Sequence, residues 1–581
     1  MRNFWLQIKT FFQNLWVGLK NLKTFRRHQL PQILETFSKK EINTVLIALL
    51  IFILAGGFLV VNALSSKGPG PRYGGDLKEG VIGQPQFINP LLASNSTVDS
   101  DLSRIIYAQI LKYDQSENLT PDLASSLPQI SSDQKTYTIK LRPDLKWSDG
   151  QPLNADDVVF TIQTIQNSAF GSPLRPNWAR VKVTKLDDLT ISFTLREISA
   201  SFINNFALGI LPKHIWQGIN ASSFRLTDNN LKPIGSGPFV LKQIKKSSAG
   251  TIKSITLIPN DQYYQGRPYL NTVTFNFYDG YDSLISAYQG REIQSLGFVP
   301  FDRNNFLAGS NKTNQDRVNL PQYQAAFFNL AKNPILADKA VRQALSLATN
   351  RDTIINDAYL GNAAAAFSPI LEGSLGYDPT VAESVHFDLN QAASILNTDG
   401  WVLDTATNLR MKNKKPLEFN LVTNGDDVIN PKIAQILQGQ WQQIGAKVDL
   451  VIVGSDELEL QYIRPRNFDA LLFSENIGAD PDPFAFWSSS QSHDPGLNLS
   501  GFNNTTADKL LTQARQTSDT SVRANDYVQF QQIINDQLPA IFLVRSLYIY
   551  STPKNLQGIN LKNVISASER FTDINHWYFG S

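Results

Sequence analysis

Few side chains in this sequence are spaced to do covalent chemistry. Two close carboxylate pairs stand out, Asp156-Asp157 and Asp480/Asp482. Carboxylates at such spacing can act as acid and base or hold a cation. Asp156 and Asp157 follow Asn154 at the start of a helical apolar pattern, where the helix dipole favours negative charge, and that role explains them. Asp480 and Asp482 each precede a proline in Ala479-Asp480-Pro481-Asp482-Pro483, a turn-forming composition. The five histidines, His28, His214, His386, His493 and His576, show no metal-ligand spacing. Cysteine is absent, which removes disulfides, thiol nucleophiles and a lipid anchor on a Cys. There is no GxxxxGK[ST] phosphate loop. No nucleophile, base and orienting group come together. No catalytic constellation stands out and no cofactor or metal is expected, which leaves a hydrolase as the enzymatic alternative.

The elements that would position a binding site are clearer. Tyr137, Ile139 and Leu141 alternate with Thr138, Lys140 and Arg142, the period of a half-buried strand. Ser148-Asp149-Gly150 makes a turn, and Asn154 caps a helix carrying Ala155, Val158 and Val159. Gly235-Ser236-Gly237-Pro238 reads as a tight turn whose glycines permit close backbone approach. Val341, Ala344, Leu345 and Ala348 share a helical face, with Arg342 and Arg351 as structural ion pairs or caps. Pro416 to Val453 alternates as strand, helix and strand, which implies a partly parallel sheet. The fold class is α/β.

The N-terminal region reads separately. Residues 1–41 form a basic leader with apolar residues at helical spacing, suited to a membrane surface. Residues 42–64 carry no charge, long enough to span a hydrocarbon core. Eight basic residues precede the run against two acidic ones, so the N-terminus is placed in the cytoplasm and the rest outside a cell membrane. A cleaved signal peptide ending near Val61-Asn62-Ala63 is the rival, disfavoured by the length of leader and run. Residues 65–72 are a Gly/Pro linker. Overall, 53 Lys and Arg balance 51 Asp and Glu, with no basic stripe for nucleic acid.

The stretch LRPDLKWSDGQPLNADDVVF closely resembles the signature of the family 5 solute-binding proteins, the extracytoplasmic peptide-binding components of ABC transporters. Further matches follow in order: Pro85 to Leu91, Gly235 to Phe239, Asn260 to Pro268, and the Val341-Arg342-Gln343-Ala344-Leu345 segment with Arg351. The resemblance covers roughly residues 73–550. It implies a type II two-lobed periplasmic-binding-protein-like fold with an extra inserted domain, preceded here by the transmembrane helix. One lobe comprises about 73–116, 230–320 and 545–581, the inserted domain about 117–229, and the second lobe about 321–544.

The resemblance also implies a site. One wall is the strand and loop before Pro483, which puts Glu475, Asn476 and Ile477 against the ligand. The family's ammonium-holding acid falls on Ala479, so either Asp480, or Asp482 beyond it, takes that role, or the ligand has no ammonium to bind there. Ser94, Asn95 and Ser96 form the opposite wall after Asn89-Pro90. Trp487, close by in sequence, either lines the cleft or packs in the core. The implied ligand is an oligopeptide delivered to ABC permease and ATPase subunits. A glycan fragment, a nickel complex or another small solute remains open.

Overall fold

The computed structural model describes residues 70–298, 301, 303, 312–426 and 428–580, with positions 38, 43, 44, 47, 48 and 50–57 nearer the N-terminus. The chain divides into two units, Met1–Gly70 and Pro71–Ser581. In the first, residues 50–57 are helical, and Ile51, Phe52, Ile53 and Leu54 are exposed. Apart from Ser38, the basic leader lies outside the described residues. Among the described residues, no helix is long and apolar enough to cross a membrane.

In the second unit, one long strand organises the fold. Ala540–Pro553 joins two half-sheets. Its first half pairs antiparallel with Gln322–Phe328, Ala540 opposite Phe327 and Val544 opposite Gln324. Its second half pairs with Thr313–Asn319, Leu547 opposite Asn319 and Pro553 opposite Thr313. Beyond Gln322–Phe328 the order continues through Ala470–Asn476 and Glu418–Asn424 to Lys447–Val453. On the other side it runs through Ser295–Leu296, Asp76–Ile82, Thr272–Tyr278 and Ile252–Pro259 to Phe239–Lys246.

The strand–helix–strand reading of Pro416 to Val453 holds. Glu418–Asn424 and Lys447–Val453 pair in parallel, with the helix Ile429–Gln442 between them in sequence. Both faces of this half-sheet are covered. Ala326, Phe328, Leu421 and Leu472 pack with Leu437 and Trp441 on one face, and Ala325, Phe327, Val422 and Leu471 pack with Leu511 and Phe530 on the other. A sheet buried on both faces needs near-continuous apolar strands, as ALLF at 470–473 supplies.

A separate four-stranded sheet holds Thr136–Lys140 between Gln129–Ile130 and Thr190–Thr194, with Lys182–Lys185 at its edge. After it, the helix Ala155–Gln166 starts as its sequence dictates. The Asn154 side chain accepts from the Asp156 amide at 2.9 Å, and Asp157 accepts back from the Asn154 amide at 3.0 Å. Asp156 pairs with Lys185 at 2.7 Å. Both carboxylates of that pair thus serve the helix start and its neighbour.

Gly235 and Gly237 show why the turn there is glycine-rich. A Cβ at Gly235 would lie 2.0 Å from the Ile106 carbonyl oxygen, and one at Gly237 would lie 2.4 Å from that of Ile105. Arg342 is a cap, one of the two roles expected of these arginines, whereas Arg351 is held by carbonyls outside any helix. Arg342 donates to the carbonyls of Leu336, Ala337, Gln537 and Leu538, capping two helix ends. Arg351 donates to the carbonyls of Ala366 and Phe542, and burial without an anionic partner pulls it down to about 10. Helix C-terminal carbonyls carry partial negative charge, which gives Arg342 a partner that sequence spacing does not advertise.

Candidate binding cleft

Four chain segments meet at one cleft. The first follows Asn89-Pro90. Asn89 is fully buried, donates to Asn230 Oδ1 at 3.1 Å and accepts from the Leu91 amide at 3.0 Å, which pins the loop. The others are residues 174–209, the turn 477–482, and residues 565–569. Two contiguous cavities lie between them. One, of about 440 Å3, is lined by Ser94, Arg104, Tyr107, Gln109 and Glu569 among others. The other, of about 530 Å3, is lined by Ser201, Ile477, Asp480, Asp482 and Arg515 among others. Asn177, Asn204, Asn205, Gly478 and Ala479 border both.

The site residues read from sequence divide by position. Ser94 is exposed and lines the first cavity. Asn95 occupies the same short turn, and Ser96 caps the helix Thr97–Ile106, its Oγ accepting from the Asp99 amide at 3.3 Å. Ile477 lines the second cavity while its amide donates to the Pro321 carbonyl at 2.8 Å. Asn476 is exposed, its Oδ1 accepting from the Gly478 amide at 2.9 Å.

Two residues of the expected wall point elsewhere. Trp487 is 1% exposed and packs against Phe327, Phe502 and Phe542; it belongs to the core and borders neither cavity. Glu475 is 3% exposed, with the Tyr323 hydroxyl donating to its Oε2 and no hydrogen-bond partner for Oε1. Strand alternation puts it on the face of Leu471 and Phe473, away from Ser474 and Asn476. Burial pushes its carboxyl up to about 8, so it sits neutral beneath the cleft at neutral pH.

The acidic turn is internally matched. Both Asp480 oxygens accept from Arg523 Nη2, at 2.6 and 2.7 Å, in a largely buried pair. Asp480 Oδ1 also accepts from the Asp482 amide at 3.1 Å, closing the turn. Asp482 pairs with Arg515 at 3.0 Å and accepts from the Ser201 hydroxyl at 3.1 Å. Burial pushes Asp482 upward and Arg515 opposes it. The Ser201–Asp482 bond joins two of the segments that border the second cavity.

Residues 118–497 match the description "Bacterial extracellular solute-binding proteins, family 5 Middle". The chain belongs to this family. This family 5 chain is 31% identical over 531 residues to the oligopeptide-binding protein AppA of Bacillus subtilis, covering 89% of itself and 94% of that protein. It is 29% identical over 404 residues to the nickel-binding periplasmic protein of Escherichia coli, covering 66% of itself and 72% of the relative. The solved structure of the Bacillus subtilis AppA with a nonapeptide aligns at a TM-score of 0.70 and 28% identity, over 88% of this chain and all of the other. The family 5 chain thus has the two-lobed mixed α/β periplasmic-binding-protein fold.

Sequence reasoning missed Arg104, Tyr107, Gln109, Asn177, Asn204 and Glu569. Nothing in the residue type or spacing of Tyr107 signals that it borders a cavity.

Proposed function

We propose that the protein binds oligopeptides outside the cytoplasm and hands them to an ABC importer, by lobe closure and without turnover. The observation that carries this is the 31% identity to an oligopeptide-binding protein across 94% of that protein's length, in a chain whose own fold encloses a cleft. Energy would come from ATP hydrolysis in separate subunits. In this reading one lobe comprises about 73–116, 230–320 and 545–581 and the other about 321–544, with 117–229 inserted in the first. In support, the half-sheets part where Ala540–Pro553 changes partner between Ser546 and Leu547. Hinge closure of two such lobes is a common binding motion.

The chain is held to the cell membrane by residues 42–64 as a single pass, with the N-terminus cytoplasmic and the cleft outside. The uncharged run and the exposed apolar side chains of its described part support this. The relative that binds nickel supplies the second reading, a metal complex as solute. Among the described residues, no three His, Cys, Asp or Glu side chains are grouped to hold a metal ion.

The test is native mass spectrometry of the purified full chain, followed by incubation with mixed oligopeptides. Stoichiometric retention of intact peptides is expected. Cleavage that persists after rigorous purification refutes binding without turnover, and retention of only a glycan fragment or nickel complex refutes the peptide ligand.

A further inference from the structure

The acids of the turn 477–482 are already matched. Asp480 is held by Arg523 and Asp482 by Arg515, so each enters the charge balance of the cavity of about 530 Å3 as half of a neutral pair. Three more ionised side chains border that cavity, all from the segment 174–209: Arg180, Arg196 and Glu197. All three are exposed, and none makes an ion pair or a side-chain hydrogen bond among the described residues.

Sheet register gathers the two arginines. Lys182–Lys185 runs antiparallel to Thr190–Thr194, with Lys182 opposite Thr194. Arg180 lies two residues before that pair and Arg196 two residues after it, so both leave the sheet at the same end. Val181 and Leu195, the residues between, are both buried. Like charges gathered at one end of a strand pair repel each other. Glu197 pairs with neither arginine, so the uncommitted charge at this cavity is two cations against one anion. Guanidinium groups take carboxylates in planar, two-point contacts. A ligand carboxylate entering here meets two free guanidinium groups. A ligand ammonium meets the same two as repulsion, with one glutamate to set against them. The free charge therefore favours an anion, the reverse of what an acid beside Ala479 implies for a ligand's ammonium.

We propose that the cavity of about 530 Å3 is a subsite for a carboxylate of the ligand, bound by Arg180 and Arg196, with Glu197 opposing it and setting its strength. The consequence for substrate class rests on the peptide reading: the protein favours peptides that bring a carboxylate to this cavity, from an acidic side chain or from the C-terminus.

Saturation-transfer NMR on the full chain in detergent micelles, with acetate, acetamide and methylammonium as separate probes, tests the subsite itself. Acetate should give the strongest transfer. The double variant Arg180→Gln/Arg196→Gln should weaken it about fivefold, and Glu197→Gln should strengthen it about twofold. The three side chains are exposed and unpaired, so the variants should keep the wild-type melting temperature. Transfer to acetamide or methylammonium equal to that of acetate, an acetate signal indifferent to the double variant, or a weaker one in Glu197→Gln overturns the proposal. Calorimetry of the same proteins against nonapeptide libraries with uncharged side chains tests the peptide reading separately. One library ends in a carboxamide, one in a free carboxylate, and one is amidated but carries a single Glu. At least one acidic library should bind about fivefold tighter than the amidated one, a gap that closes in the double variant and shrinks at about 1 M salt. Which acidic library gains tells the C-terminal source from the side-chain source. Equal binding of all three overturns the proposal. Binding of none removes the peptide reading and leaves the acetate result to judge the subsite.

Discussion

Glu475→Gln isolates the buried acid beneath the cleft. The Glu475 carboxyl moves from an ordinary 4.5 when unfolded to about 8 when folded, because burial disfavours its charge. Below pH 4.5 it is neutral in both states and carries no penalty. Between 4.5 and 8 the unfolded chain ionises it while the folded chain keeps the proton, so stability falls as pH rises. Above 8 the full cost of the buried charge is present. At about 1.4 kcal/mol per pH unit, the loss between pH 5 and pH 8 is on the order of 3 kcal/mol. Gln retains an acceptor for the Tyr323 hydroxyl and cannot ionise. Urea unfolding of the full chain, followed by tryptophan fluorescence at both pH values, measures the effect. The gap between variant and wild type should shift toward the variant by about 3 kcal/mol from pH 5 to pH 8, other titrating groups cancelling in the comparison. Parallel stability curves across that range refute the buried neutral acid.

Asp480→Asn leaves the Arg523 cation without its counter-charge and should cost about 3 kcal/mol of stability, seen as a lower urea midpoint; an unchanged midpoint refutes a structural pair. Gly235→Ala drives a Cβ into the Ile106 carbonyl, so the variant should lose soluble yield or melt far below wild type, and normal melting refutes the close approach. Ser201→Ala removes one bond between two segments that border the second cavity and should weaken peptide binding by about fivefold with little change in melting temperature, as calorimetry can show. In intact cells, external protease should digest the chain beyond residue 65 and spare the leader; a mature chain starting near Leu64 refutes the single-pass anchor.

Local chemistry made much of this fold legible. Asn154 with Asp157 announces a capped helix, and the two glycines at 235 and 237 announce a close crossing, because each signal lies within a few residues of its effect. The same rules placed Glu475 within reach: Leu471, Phe473 and Glu475 alternate onto one face, so the acid had to point with the apolar residues. Pairings across long sequence distances were not legible. Asp480 meets Arg523 from 43 residues away, and Arg104 meets Glu569 from 465 away. Trp487 next to an acidic turn could line a cleft or fill a core, and only the positions of Phe327, Phe502 and Phe542 decide that.

The strand Ala540–Pro553 also fixes an order of events during synthesis. The chain emerges from its N-terminus, so Gln322–Phe328 and Thr313–Asn319 exist for more than two hundred residues of further growth before their shared neighbour appears. Throughout that interval, Gln322–Phe328 shows a bare hydrogen-bonding edge, with Ala325 to Phe328 as its apolar content. Such an edge can pair with another nascent chain. A ribosome that stalls shortly before Ala540 would therefore release a product with nearly all of its sequence and an open sheet, prone to aggregate rather than to bind ligand weakly.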